Sequence, residues 1–140
     1  ENTTRDGMDV ALCSVDMETG KLCFSGAKRP LYLMRDGEII IFKGNQYSVG
    51  ESFERADTSY KDENIQTMEN DMVYMFSDGF VSQFGGSDGK KFKTKRFKSL
   101  LKKINNENSQ KQHELLHHTI QNWKNGMEQV DDMLVMGFRM

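Results

Sequence analysis

The sequence is short of proline, cysteine, long apolar runs and any excess of one charge. Pro30 is the only proline in 140 residues, so no proline-rich linker divides the chain. The two cysteines, Cys13 and Cys23, sit inside apolar, strand-like segments rather than at metal-ligand spacing. Even on adjacent strands of a hairpin, reduced thiols are the simpler reading, and no disulfide scaffold is expected. No apolar run approaches the length of a membrane span, and residues Glu1 to Asp9 lack the apolar core of a secretory signal. A soluble, cytoplasmic chain without membrane contact is expected. The 19 Lys and Arg against 21 Asp and Glu leave a net charge of -2, which removes any general argument for nucleic-acid binding. No repeat or low-complexity stretch occurs, and the length suits one domain with one core.

What is present begins as strands. Met8 to Val15 and Lys21 to Gly26 are apolar segments around a polar, glycine-ending loop. Leu31 to Met34 and Glu38 to Phe42 flank Arg35-Asp36-Gly37, and Asp-Gly between apolar runs is the strongest local hairpin signal. Glu51 to Asp71 carries seven acidic and two basic residues and reads as a solvated connection with one short strand near Asn64 to Met68. Met72 to Phe76 is a continuous apolar run suited to a strand buried on both faces, and it stops at Ser77-Asp78-Gly79.

The second half turns helical. Phe97, Leu100, Leu101 and Ile104 recur at helical spacing opposite a lysine-bearing face. Ser109 with Gln112 has the form of a capping box opening a second helix through Leu116, Ile120 and Trp123, with Gly126 as a left-handed stop. Met133 to Phe138 reads as another buried strand, so this strand and the Met72 strand are expected centrally in a sheet covered by helices, in an α+β or layered α/β fold.

Two acidic sites stand at the ends of these strands. Asp78 follows one strand, and Asp131-Asp132 precedes the other. If the strands are antiparallel neighbours, the carboxylates converge on one sheet edge and need a cation, and oxygen-only ligands select Mg²⁺ or Mn²⁺. Spacing alone favours ordinary turn and capping roles for these aspartates.

The motifs add a resemblance. Ser77-Asp78-Gly79-Phe80, Gln129 to Val135, and Asp6-Gly7-Met8-Asp9-Val10-Ala11-Leu12 occur in the order found in one family, and Ser25 to Leu33, Tyr47 to Gly50 and Gln83-Phe84-Gly85-Gly86 agree with it. Over nearly all its length the chain resembles the C-terminal part of the stage II sporulation protein E type of metal-dependent protein serine/threonine phosphatase, within the protein phosphatase 2C-like superfamily. The resemblance implies a β-sandwich flanked by helices and a pair of Mn²⁺ or Mg²⁺ ions whose bridging water attacks a phosphoserine or phosphothreonine. It makes Asp78 and Asp131 metal ligands. Behind them stand Gly79 and Asp132, the latter orienting its neighbour, although the roles within the acid pair are interchangeable on sequence alone. It also implies a phosphorylated protein substrate such as an anti-sigma-factor antagonist, an upstream sensor module in the parent, and bacterial signalling.

One departure accompanies the match. The family's Asp-x-Thr-Gly-His-Gly-like segment, which supplies a bridging aspartate, has no counterpart, and His113, His117 and His118 do not replace it. Residues 1–140 are therefore expected to be the C-terminal portion of one such domain with its N-terminal part missing, inactive alone. A non-catalytic binding or regulatory module with the same fold is the competing expectation. A third reading is a zinc metalloprotease, because His113-Glu114-Leu115-Leu116-His117 matches the H-E-x-x-H pattern, though without a third ligand downstream. Lys90 to Lys103 holds eight basic residues with Phe92 and Phe97, and reads as a solvated helix face rather than a nucleic-acid strip, with docking to an acidic phosphoprotein second. Lys28 and Arg29 are left outside the predicted site.

Overall fold

The computed structural model describes residues 7–50 and 59–140, so Asp6 and residues 51–58 of the acidic connection lie outside the described residues. Strands β1 (Val10–Asp16) and β2 (Lys21–Ala27) form the first hairpin. Asp16 organises its loop, its Oδ1 accepting from the N–H of Glu18 at 3.0 Å and of Thr19 at 3.2 Å. Strands β3 (Leu31–Arg35) and β4 (Glu38–Phe42) form the second, turning through Asp36 at φ 50° and Gly37 at φ 76°. Two successive positive φ values are what a two-residue hairpin needs, and Asp-Gly supplies them at low cost. Then come β5 (Asp62–Gln66), two residues earlier than expected, and β6 (Met72–Phe76).

A short helix α1 (Gly79–Ser82) and a small ribbon of β7 (Phe84–Gly85) with β8 (Lys90–Lys91) follow, too short for periodicity to reveal. Helices α2 (Lys93–Ile104) and α3 (Ser109–Lys124) and strand β9 (Val135–Arg139) complete the chain. One sheet has the order β1-β2-β5 and the other β4-β3-β6-β9, all pairs antiparallel.

Side-chain alternation sets the layers. Leu31, Leu33 and Val73 face Leu22, Phe24 and Ile65 of the other sheet and fill the sandwich. The intervening residues Tyr32, Met34, Met72, Tyr74 and Phe76 point the other way, onto Phe97, Leu101, Ile104 and Ile120 of the helices. Strands β3 and β6 are thus buried on both faces, which is why they read as unbroken apolar runs. The result is the layered α+β arrangement expected from the sequence.

Three details differ from expectation. Strand β9 is not central: it is the edge strand beside β6, and Leu134 and Met136 near its start are 58% and 50% exposed. Its apolar residues gave no sign of which strand lay beyond it. The cap of α3 is Asn108, whose side chain accepts from the Lys111 N–H at 2.8 Å, so Ser109 is the first helical residue. Gln112 is instead buried, its Oε1 accepting from the Tyr74 hydroxyl at 2.7 Å. At the other end Asn125, at φ 45°, takes the left-handed cap position one residue before Gly126, which is itself left-handed at φ 85° as expected. Cys13 lies opposite Phe24 and Cys23 opposite Ser14, so the two free thiols point to opposite faces of the β1–β2 sheet.

One ion pair joins the sheets. Arg35, at the end of β3, donates from Nε and Nη2 to Asp71 at 3.0 and 2.6 Å, and from Nη2 to the Gln66 carbonyl of β5 at 3.1 Å. Asp71 is 1% exposed and also accepts from the Met68 N–H at 2.8 Å. Burial pushes its carboxyl pKa up, but the Arg35 and Met68 bonds outweigh burial and leave it lowered. A lowered carboxyl pKa contributes stability that is complete above the unfolded value near 3.9 and fades as pH falls through the folded value. Asp71→Asn should therefore cost about 3 kcal/mol at neutral pH, since it leaves Arg35 partly buried and unpaired. Urea unfolding at a series of pH values checks this, with the variant losing less stability than the parent below about pH 4.

Candidate metal centre

The site is assembled by the pairing of β6 with β9. Phe76 stands opposite Val135, so the end of one strand and the start of the other share one sheet edge. Ser77 fastens that edge: its N–H donates to the Leu134 carbonyl at 3.0 Å, and its Oγ accepts from the Leu134 N–H at 2.9 Å and donates to the Asp132 carbonyl at 2.8 Å. Gly79 allows the two turns to touch. A Cβ there would lie 2.2 Å from the Asp132 carbonyl oxygen and 3.1 Å from that of Asp131. The Asp78-Gly79 turn thus rests against the Asp131-Asp132 backbone, as the antiparallel pairing of the two strands requires. Asp132 acts through its backbone, its N–H donating to Asp131 Oδ1 at 3.1 Å.

A second set of contacts positions the loop that carries Asp131. Gln83 is 1% exposed, and its Nε2 donates to the Glu128 carbonyl at 2.9 Å. Its own carbonyl accepts from the Trp123 indole at 3.1 Å and the Phe92 N–H at 2.9 Å. The Gly86 N–H donates to the Trp123 carbonyl at 2.8 Å, and a Cβ on Gly85 would lie 1.9 Å from that same oxygen. The Gln83 to Gly86 stretch therefore fixes where α3 ends and the loop toward Asp131 starts.

A cleft of about 340 Å³ opens beside Asp78, between β1 and β9, floored by Met75 and Phe76 and walled by Leu134 and Met136. Its polar side holds two residues that sequence reasoning did not assign. Arg29 Nη2 lies 2.7 Å from Asp9 Oδ2 and 3.2 Å from Asp78 Oδ1. Ser48 Oγ donates to Asp9 Oδ1 at 2.5 Å. The Ser48 bond lowers the Asp9 pKa, burial opposes it, and Arg29 adds to the lowering, with a net downward shift. Asp9 stood inside one of the family-like motifs and Arg29 inside another. Only their meeting across β1 and β2 makes either significant.

The donors at this edge are carboxylate oxygens, which suit Mg²⁺ or Mn²⁺ in kind. They fall short in number: among the described residues no group of three or more His, Cys, Asp or Glu is placed to hold a metal. Asp78 lines the cleft, whereas Asp131 lines a separate, open surface pocket with Gln129, Val130 and Asp132. The zinc pattern fares differently. His113, Glu114 and His117 lie on the exposed face of α3, with the imidazole centroids 6.3 Å apart and Glu114 bonded to Gln110 and Lys111. Among the described residues no third His, Cys, Asp or Glu joins the two histidines in a metal-holding group. The basic strip is likewise a solvated face pinned by side contacts: Arg96 stacks over Trp123 at 4.7 Å and Lys102 pairs with Glu38 at 2.7 Å. Phe92 is buried, so no aromatic remains there for base stacking.

Gly79→Ala tests the approach of the two turns. The added methyl has no flexible side chain to displace, only the Asp132 carbonyl, and the cost should be about 1–3 kcal/mol. Amide NMR shifts should move at residues 131–134 as well as at the mutated turn, whereas shifts confined to residues 77–80 would contradict the contact.

The comparisons with known proteins follow this geometry. The chain superposes on the SiaA-PP2C domain of Pseudomonas aeruginosa with a TM-score of 0.85 and 28% identity, over 94% of this chain and 51% of that one. It superposes on the phosphatase domain of the cell fate determinant SpoIIE from Bacillus subtilis with a TM-score of 0.69 and 17% identity, over 94% and 57%. The RsbU and RsbW domains of Rv1364c from Mycobacterium tuberculosis give 0.67 and 16%, over 94% and 35%. The chain thus spans about half the length, or less, of these solved structures. No curated protein sequence matches it. The stage II sporulation protein E model matches residues 1–140, and the chain belongs to the stage II sporulation protein E family.

Proposed function

We propose that this chain is the C-terminal portion of a metal-dependent protein serine/threonine phosphatase domain, in which Asp78 and Asp131 are ligands of a Mn²⁺ or Mg²⁺ centre. The observation that carries the reading is the contact of Gly79 with the Asp131-Asp132 backbone, which brings two carboxylate-bearing turns to one sheet edge. Coverage of about half of each matched phosphatase structure, and the exposed edge of β9, support a domain that continues beyond these strands. The bound cation would supply a water of lowered pKa and a counter-charge for the phosphoryl oxygens. The chain's own residues hold the Asp78 and Asp131 turns in place through Ser77, Gly79 and Gln83, and give the cleft an apolar wall in Leu134 and Met136.

A phosphorylated bacterial signalling protein, such as an anti-sigma-factor antagonist, is the proposed substrate, and a cytoplasmic setting with a sensor module upstream is the proposed context. Among the described residues no helix is long and apolar enough to cross a membrane. The test is phosphatase turnover by the full-length parent protein on a phosphoserine protein in Mn²⁺. Asp78→Asn and Asp131→Asn should each lower kcat by about a hundredfold or more while the protein stays folded. Unchanged turnover in both variants, or no metal-dependent turnover in the folded parent, would leave the non-catalytic module as the better account.

A further inference from the structure

We propose that Arg29 is an internal cation that competes with a divalent metal for Asp78, with Asp9 as the partner it keeps when the metal binds. This rests on Asp78 being a metal ligand. A single guanidinium nitrogen, Nη2, serves both carboxylates, at 2.7 Å from Asp9 and 3.2 Å from Asp78. The two bonds are unequal in more than length. Asp9 is held on its other oxygen by Ser48 at 2.5 Å, whereas the Asp78 side chain is 46% exposed. Asp78 is therefore the partner that can be surrendered.

The backbone around Arg29 is built to deliver it there. Gly26 and Gly44 cross so closely that a Cβ on Gly44 would lie 2.6 Å from the Arg29 carbonyl oxygen. Lys28, at φ 56°, turns the chain out of β2, with its N–H donating to the Asn45 carbonyl at 2.7 Å. These contacts fix the stem of Arg29, which is the sole basic residue among the described residues lining the cleft.

The electrostatics follow from the charge count. Asp9, Arg29 and Asp78 together carry one net negative charge. A divalent cation at Asp78 turns that local sum positive and sets two cations against each other, so Arg29 must leave the shared carboxylate. The guanidinium thus lowers metal affinity by the worth of one part-exposed ion pair and keeps the carboxylate from standing uncompensated when no metal is bound.

The experiment is a Mn²⁺ titration of this chain, parent and variants, paired with ¹⁵N NMR of the Arg29 guanidinium during a Mg²⁺ titration. Arg29→Gln should bind Mn²⁺ about two- to fivefold more tightly than the parent, the factor expected for losing one exposed pair. In the parent, Mg²⁺ should shift the Arg29 guanidinium signal in the direction that Asp78→Asn shifts it without metal. Unchanged or weaker Mn²⁺ binding by Arg29→Gln, with amide spectra showing an intact fold, would overturn the competition. So would a guanidinium signal that ignores Mg²⁺. The underlying site is judged separately by Asp78→Asn: if that variant binds Mn²⁺ as the parent does, Asp78 is no ligand and both readings fall.

Discussion

The antiparallel pairing of β6 with β9 is the constraint on which the candidate site depends. With Phe76 opposite Val135, the residues just past one strand and just before the other have no choice of edge. Ser77 locks the register with three hydrogen bonds to Leu134 and Asp132, and Gly79 removes the only side chain that would hold the turns apart. Two aspartate-bearing turns separated by more than fifty residues in sequence are thereby brought into backbone contact by main-chain geometry. A slip of one residue in this pairing would turn each side chain of β9 to the opposite face and carry Asp131 away from Asp78.

The rest of the fold holds this edge steady. Strand β6 is packed on both faces, by Leu22, Phe24 and Leu33 through the sandwich and by the helices through Tyr74 and Phe76. The Arg35–Asp71 pair anchors its start to β3 and β5. Gln83 and Trp123 anchor the approach to β9 from the far end of α3. In the cleft, Arg29 shares a nitrogen between a well-held carboxylate and an exposed one.

Much of this was legible in the sequence, and the failures have physical causes. Both hairpins, β6 and α2 were visible because Asp36-Gly37, the Met72 to Phe76 run and the Phe97 to Ile104 spacing are local signals that tertiary packing reinforced. The position of β9 was not, because an apolar strand looks alike at a sheet's centre and at an edge that other chain could cover. The cap of α3 was missed by one residue because Gln112, read as a capping partner, answers a buried tyrosine hydroxyl 38 positions away. Asp9 and Arg29 were passed over for the same reason: each is an ordinary charged residue until long-range pairing sets them together, and no local pattern records that meeting. The His113-Glu114-x-x-His117 string shows the reverse error, a strong local pattern that the fold leaves on an open helix face.

The claim that Asp78 and Asp131 act as one site is tested most directly by adding Mn²⁺ to the ¹⁵N-labelled chain and following paramagnetic broadening. The account predicts that amides of residues 77–79 and 131–133 broaden together at the lowest metal concentrations, and that Asp78→Asn or Asp131→Asn removes both effects at once. Broadening of one turn without the other, or broadening that begins elsewhere on the surface, would contradict it.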